Sequence, residues 1–475
     1  MEKLKHKTVI STLSLFFQSG FSAFLGLTAN IVVTILLSPA VFGIYIAILS
    51  MISVLNYFSD IGLAASLIQK KEITDDDVKT TFTVQQVLIL LIIFIAYSLT
   101  PFIMNFYKLP PEGKYLYWAL LLSFFLSSLK TIPSIFLERK VQFQKIVLVQ
   151  VIENIVFYST VIILAVLKFG LMSFVYAVFF RSIIGVIMIY SLSFWKPKIG
   201  ISIKNLRQLL SFGLPFQASS FLALFKDDLI ILYLGKILGF EALGYIGWAK
   251  KWAEAPIRII MDNLSRVLFP VISRIQHDSK KISELIDKIL HYQTLILAPS
   301  IVGLMIMMSS FVELIPKYQK WQPALPIFYI FCLSSLFSSY STPFINLFNA
   351  LGKVKISFTF MLIWTAMVWV LTTFLTSLFN YYGFPVAQLI LSSTFILVIW
   401  QAKKLLSFNF IKSTYRPIVS ASIMGCAITI MKMYFPITYI SLAADVLIGS
   451  ILYFTVLLLL FKINLINEVR SLFHA

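Results

Sequence analysis

Along the chain, apolar windows bounded by charge clusters or by proline and glycine recur at 8–37, 41–59, 80–104, 115–137, 146–167, 171–195, 211–235, 242–272, 289–315, 324–349, 356–379, 384–402, 417–435 and 440–461. Each is near or above the ~20 apolar residues that a helix needs to cross a bilayer, so the pattern predicts an all-α integral membrane protein of about 14 transmembrane helices. The longest polar connection, 273–288, is too short to hold a catalytic domain, which confines the chemistry to the membrane. The first window follows the basic start MEKLKHK, but it is too long for the apolar region of a secretory signal and shows no small-residue cleavage site. It reads as an uncleaved first helix.

A weak repeat runs through these windows. FFQSGFSAFLG near Phe17 parallels PFQASSFLALF near Phe216, VFGIY at Val41 parallels ALGYI at Ala242, and SSLKTIPSI at Ser127 parallels SSYSTPFIN at Ser338. An even number of crossings separates the copies, so both halves share one orientation. Two six-helix bundles related by pseudo-two-fold symmetry are expected, 1–200 and 201–410, with 411–475 adding two helices and a cytoplasmic tail. Parallel repeats of this kind enclose a site at their interface near the midplane.

Composition sharpens the picture. At 59% hydrophobic and 12% charged residues, the chain is excluded from the water-soluble class, where about 25% of residues are charged. A net charge of +19 in a soluble protein would point to nucleic acid; here it belongs to retained cytoplasmic loops, and no nucleic acid partner is expected. With the N-terminus inside, 25 Lys and Arg fall on cytoplasmic segments and 6 on external ones, so both termini are expected in the cytoplasm. Cys332 and Cys426 lie in apolar runs, which argues against a disulfide framework or a thiolate metal site. No phosphate-cradling glycine loop, zinc-spaced His/Cys cluster or nucleophile elbow is present, so the chain is not expected to be an enzyme or to hold a metal or cofactor. Transport would be passive or coupled to a sodium or proton gradient.

The informative residues are the charges inside apolar windows: Lys130, Arg181, Lys226, Lys250, Lys251, Arg258, Arg266 and Lys432. Each costs at least ~2.5 kcal/mol at the bilayer centre unless it faces a polar cavity. In the eighth window Lys250, Glu254, Arg258, Asp262 and Arg266 recur at every fourth position with alternating sign. On a helix they form a winding stripe about 24 Å long that must meet water or other charges. Two readings stand side by side: Glu254, Asp262 and Arg266 as a structural charge ladder, and Lys250, Lys251 and Arg258 as contacts for an anionic ligand. In the seventh window, LFKDDLIILY places Lys226 beside Asp227 and Asp228. Either acid is a candidate for ion coupling, and mutual neutralisation with Lys226 or with the eighth window is the alternative. Glu153 is expected to pair structurally, with Arg181 a candidate partner. Lys130, beside Pro133, has no acid in its own helix and is open to substrate or to Glu153; Lys432 is expected to snorkel outward.

Two segments carry a family likeness, SDIGLAASLIQKKEITDDDVKTTFTVQQVL from Ser59 to Leu88 and RVLFPVISRIQHDSKKI from Arg266 to Ile282. They resemble the oligosaccharide flippases of the multidrug/oligosaccharidyl-lipid/polysaccharide exporter superfamily, nearest to its teichuronic acid and colanic acid exporters. The resemblance implies two bundles of six helices, often with two more. It implies transfer of an undecaprenyl-diphosphate-linked repeat unit from the cytoplasmic to the outer leaflet of a bacterial cytoplasmic membrane by alternating access, for surface polysaccharide. Glycosyltransferases and a polysaccharide polymerase are the implied partners. A diphosphate and acidic sugars ask for a cationic interior, which Lys130, Arg181, Lys226, Lys250, Lys251 and Arg258 would supply. Relatives in the superfamily suggest sodium or proton coupling, with Asp227 or Asp228 as candidates. The rivals are a cation-coupled multidrug antiporter on the same fold and a membrane polysaccharide polymerase.

Overall fold

The computed structural model describes residues 20–22 and 24–462, without the side chains of 212, 214–216, 218–221, 262, 263, 266 and 267. Every regular element among them is helical. The chain packs as two compact units, Met1–Gly247 and Trp248–Ala475. The first contains α1 (Gly20–Leu36), α2 (Pro39–Ser59), α3 (Leu63–Gln69), α4 (Asp75–Ser98), α5 (Thr100–Tyr107) and α6 (Pro111–Leu129). It continues with α7 (Thr131–Arg139), α8 (Phe143–Val166), α9 (Met172–Leu192), α10 (Ile203–Ala223) and α11 (Leu229–Leu238). The division falls within α12 (Phe240–Arg274). The second unit goes on through α13 (Ser279–Leu314), α14 (Leu325–Ala350), α15 (Val354–Phe379), α16 (Gly383–Ser393), α17 (Phe395–Lys403), α18 (Phe410–Tyr434) and α19 (Tyr439–Phe461).

Local chemistry explains the helix starts. Thr74 caps α4 through the backbone N–H of Asp77, whose carboxylate in turn accepts from the Thr74 N–H, and three aspartates in the first turn complement the helix dipole. Ser38, with Pro39 behind it, opens α2, and Asp278 opens α13 by accepting from the Lys281 N–H at 3.0 Å. Along α4 the outward positions are apolar, with Val87, Leu90, Leu91 and Phe94 exposed, whereas Thr80, Thr81 and Gln85 are buried. Apolar outside and polar inside is the pattern of a helix whose solvent is lipid.

Among the described residues nine helical stretches are long and apolar enough to cross a membrane, ten when α6 and α7, bent by 40° at Lys130, count as one. One of the nine, Val354–Lys403, contains α15 and the returning α16, which pack together across a 3₁₀ turn at Asn380–Tyr382. The difference from the fourteen windows has local causes. The first window lies partly outside the described residues. The seventh is interrupted by a π-helical turn, Leu224–Asp228, at its charged triplet. The eighth sits in α12, where the charged stripe outweighs the apolar positions.

In the first unit α8 packs along α9, and α9 against α6; in the second, α18 packs between α13 and α19. The repeat-related glycines Gly43 and Gly244 meet where α2 and α12 begin. A Cβ on Gly43 would lie 1.8 Å from the Phe240 carbonyl oxygen, and one on Gly244 would lie 2.0 Å from that of Pro39. Only glycine permits backbones to approach this closely. The repeat read in the sequence thus marks a packing contact.

Candidate functional site

Among the described residues, the charges predicted inside windows, Lys432 apart, gather in three places, two in the first unit and one in the second. In the first, Glu153 on α8 is buried and receives Lys130 Nζ from the α6–α7 bend at 2.6 Å. The Arg181 guanidinium on α9 stands 4.0 Å from its other carboxylate oxygen. Lys130 therefore turns to Glu153, one of the two options open in the sequence, and Arg181 is the second cation around the same acid. Side-chain exposure rises from 7% at Glu153 through 20% at Lys130 to 42% at Arg181, so the carboxylate is the floor of the cluster and the guanidinium its mouth.

Two features here have no strong sequence signal. Gly185, one turn beyond Arg181, makes the seat for Glu153: a Cβ there would lie 1.8 Å from Oε1. The hint was a small residue four positions from an intramembrane arginine. Aromatic rings form the wall, with the Arg181 guanidinium 5.6 Å from the Phe157 ring and Tyr45 stacked on Phe174 at 4.1 Å.

The second place is the π-helical turn Leu224–Asp228. Lys226 lies 4.0 Å from Asp227, and both remain substantially exposed. Asp228 has its own interactions and sits close enough to Tyr57 to act on it electrostatically. π-Turns inside helices recur at functional sites because the extra residue aims side chains away from the regular ladder.

The third place is α12 in the second unit. Glu254 takes Arg258 at 2.8 Å and Lys250 at 3.7 Å, so the every-fourth-residue spacing does build an ion-pair ladder. Arg258 nevertheless keeps 70% of its side chain exposed, and Lys250 also approaches the Phe384 ring at 5.9 Å. Lys251 is half-buried and has partners of its own. The side chains of Asp262 and Arg266, the remaining rungs, lie outside the described residues. Lys432, expected to snorkel outward, donates to the Ile306 carbonyl of α13 at 2.8 Å. A carbonyl on a neighbouring helix, with a second lone pair to offer, is an acceptor for the ammonium.

A model of the polysaccharide biosynthesis protein family matches residues 32–326, more than half of the chain. The chain belongs to that family. Among relatives, the lipopolysaccharide biosynthesis protein WzxC of Escherichia coli (strain K12) is 24% identical over 71% of this chain and 68% of its own. The succinoglycan biosynthesis transport protein ExoT of Rhizobium meliloti (strain 1021) is 22% identical over 93% and 90%. The fold is that of the lipid II flippase MurJ in its inward closed conformation, at a TM-score of 0.75 with 96% of this chain and 99% of that one covered at 16% identity.

The segment Ser59–Leu88, which carried the family likeness, builds a corner. Asp60 accepts from the Ala64 N–H at 3.0 Å, Ser66 Oγ donates to the Leu209 carbonyl at 2.7 Å, and Lys70 pairs with buried Asp77 at 2.8 Å. Arg139 closes it, its guanidinium donating to the carbonyls of Leu67, Ile68 and Lys70 at 2.9, 2.9 and 2.5 Å and to Lys71 at 2.8 Å. Those of Leu67 and Ile68 are carbonyls that α3 leaves open at its end, and those of Lys70 and Lys71 follow it in the turn. Burial pushes the Asp60 carboxyl up to about 6 against the opposing pull of the Ala64 N–H. The second family-like segment, Arg266–Ile282, likewise turns from α12 into α13 over a core that includes Leu268, Ile272 and Ile282.

Proposed function

We propose that this protein flips an undecaprenyl-diphosphate-linked oligosaccharide repeat unit from the cytoplasmic to the outer leaflet of a bacterial cytoplasmic membrane, by alternating access, for surface polysaccharide assembly. The observation that carries the reading is that two guanidinium groups in windows expected to lie within the membrane, Arg181 and Arg258, stay exposed beside their acids. Exposed guanidinium at that depth asks for an anionic partner, and its planar fork suits phosphate oxygens. The family and the names of its members support the same class of cargo. Both termini would lie in the cytoplasm, and the chain would act without catalysis, beside the glycosyltransferases and polymerase that make and consume its cargo. Asp227 and Asp228 are the proposed site of sodium or proton coupling, because the π-turn holds two acids against one lysine.

The test is flipping in proteoliposomes, with a fluorescent undecaprenyl-diphosphate oligosaccharide whose accessibility in each leaflet is followed with time. Protein-dependent transfer is expected. Uptake of a cationic dye under an ion gradient with no lipid flipping would assign the chain to the multidrug antiporters instead.

A further inference from the structure

The cluster around Glu153 has a property that a static ion pair does not need: its acid is buried beneath two cations, one of which reaches outward. On α9 the exposed apolar side chains Tyr176, Phe180 and Ile187 mark one face. At about 100° per residue Arg181 falls well away from that stripe, on the side of the buried Phe174, Ala177 and Gly185. Its exposure is therefore toward the interior side of the helix, where an incoming anion meets the guanidinium first, the Lys130 ammonium next and the Glu153 carboxylate last. A carboxylate placed to contact both an arginine and a lysine occupies the geometry that a phosphate oxygen pair would take.

We infer that Glu153 is a resident counter-anion: it holds Lys130 and Arg181 in position while the site is empty and yields them to the diphosphate of the cargo, so that the three form an exchange site. This rests on the flippase reading and adds the anion that the cargo must displace. Two cations with no acid between them would bind a diphosphate more tightly and release it more slowly; the acid keeps the site assembled and restores it after transfer. Lys130 also stands at the 40° bend between α6 and α7, so exchanging its partner acts on the bend itself. Gly185 gives the carboxylate its seat.

The experiment uses the full chain in lipid nanodiscs with two probes, undecaprenyl diphosphate and the neutral undecaprenol, and measures binding alongside liposome flipping. Glu153→Gln is expected to bind the diphosphate about tenfold more tightly, the size of one charge-assisted contact, with slower flipping at saturating cargo and unchanged undecaprenol binding. Gly185→Ala, whose methyl group displaces the carboxylate without removing its charge, is expected to shift binding the same way and decides the matter if Glu153→Gln fails to accumulate. Arg181→Gln is expected to weaken diphosphate binding selectively. A folded Glu153→Gln or Gly185→Ala protein that binds the diphosphate no more tightly than wild type overturns the exchange site while leaving the flippase reading intact. A wild type that does not distinguish diphosphate from alcohol overturns the flippase reading, and this inference with it.

Discussion

Arg258→Ala separates a binding role from a structural one. In the structure the guanidinium is 70% exposed and pairs with Glu254 one turn away at 2.8 Å. An exposed pair at that spacing contributes ~0.3–0.5 kcal/mol, and Glu254 retains Lys250 at 3.7 Å when the arginine is removed. No buried charge is orphaned, so the thermal unfolding midpoint of the purified protein should barely move. Contact with a cargo phosphate is another matter. Losing a charge-assisted hydrogen bond costs ~1.5–3 kcal/mol, which is roughly ten- to a hundredfold in affinity. The assay is the concentration dependence of flipping in liposomes, with the unfolding midpoint measured on the same preparation. An apparent KM raised by that factor at unchanged stability is the expected result. A drop in unfolding midpoint that accounts for the lost activity, or an unchanged KM, would refute the argument and leave Arg258 as a rung of the ladder.

The corner at the end of α2 yields two further predictions. Asp60 has its carboxyl raised to about 6, above the unfolded ~3.9, so the folded chain holds the proton more tightly. Its stabilising contribution is present at low pH and is lost as pH rises through about 6, by at most ~3 kcal/mol. The unfolding midpoint should therefore fall from pH 5 to pH 7 more in wild type than in Asp60→Asn, and identical pH profiles would show that the carboxyl is not perturbed. Arg139→Lys keeps the charge but loses the fork that collects the carbonyls of Leu67, Ile68, Lys70 and Lys71. It should cost about 1–3 kcal/mol locally and speed tryptic cleavage after Lys70 and Lys71, and a cleavage rate equal to wild type would count against the staple.

Membrane immersion and helical class were legible in the sequence because both depend on the summed hydropathy of about 20 consecutive residues, a local property. The ladder Lys250–Glu254–Arg258 was legible for the same reason, since every-fourth spacing puts its members on one helix face. The repeat pointed to Gly43 and Gly244, although not to their contact. What the sequence could not decide were partnerships between helices. Lys130, Glu153, Arg181 and Gly185 sit on the α6–α7 bend, α8 and α9, and their meeting depends on how those helices rotate and cross. The same holds for Arg139, which reaches back some seventy positions to cap α3, and for Lys432, which donates to a carbonyl on α13. Hydropathy says that a charge in the membrane must find a partner; only the packed structure decides which one, because distance through space is set by the packing of whole helices.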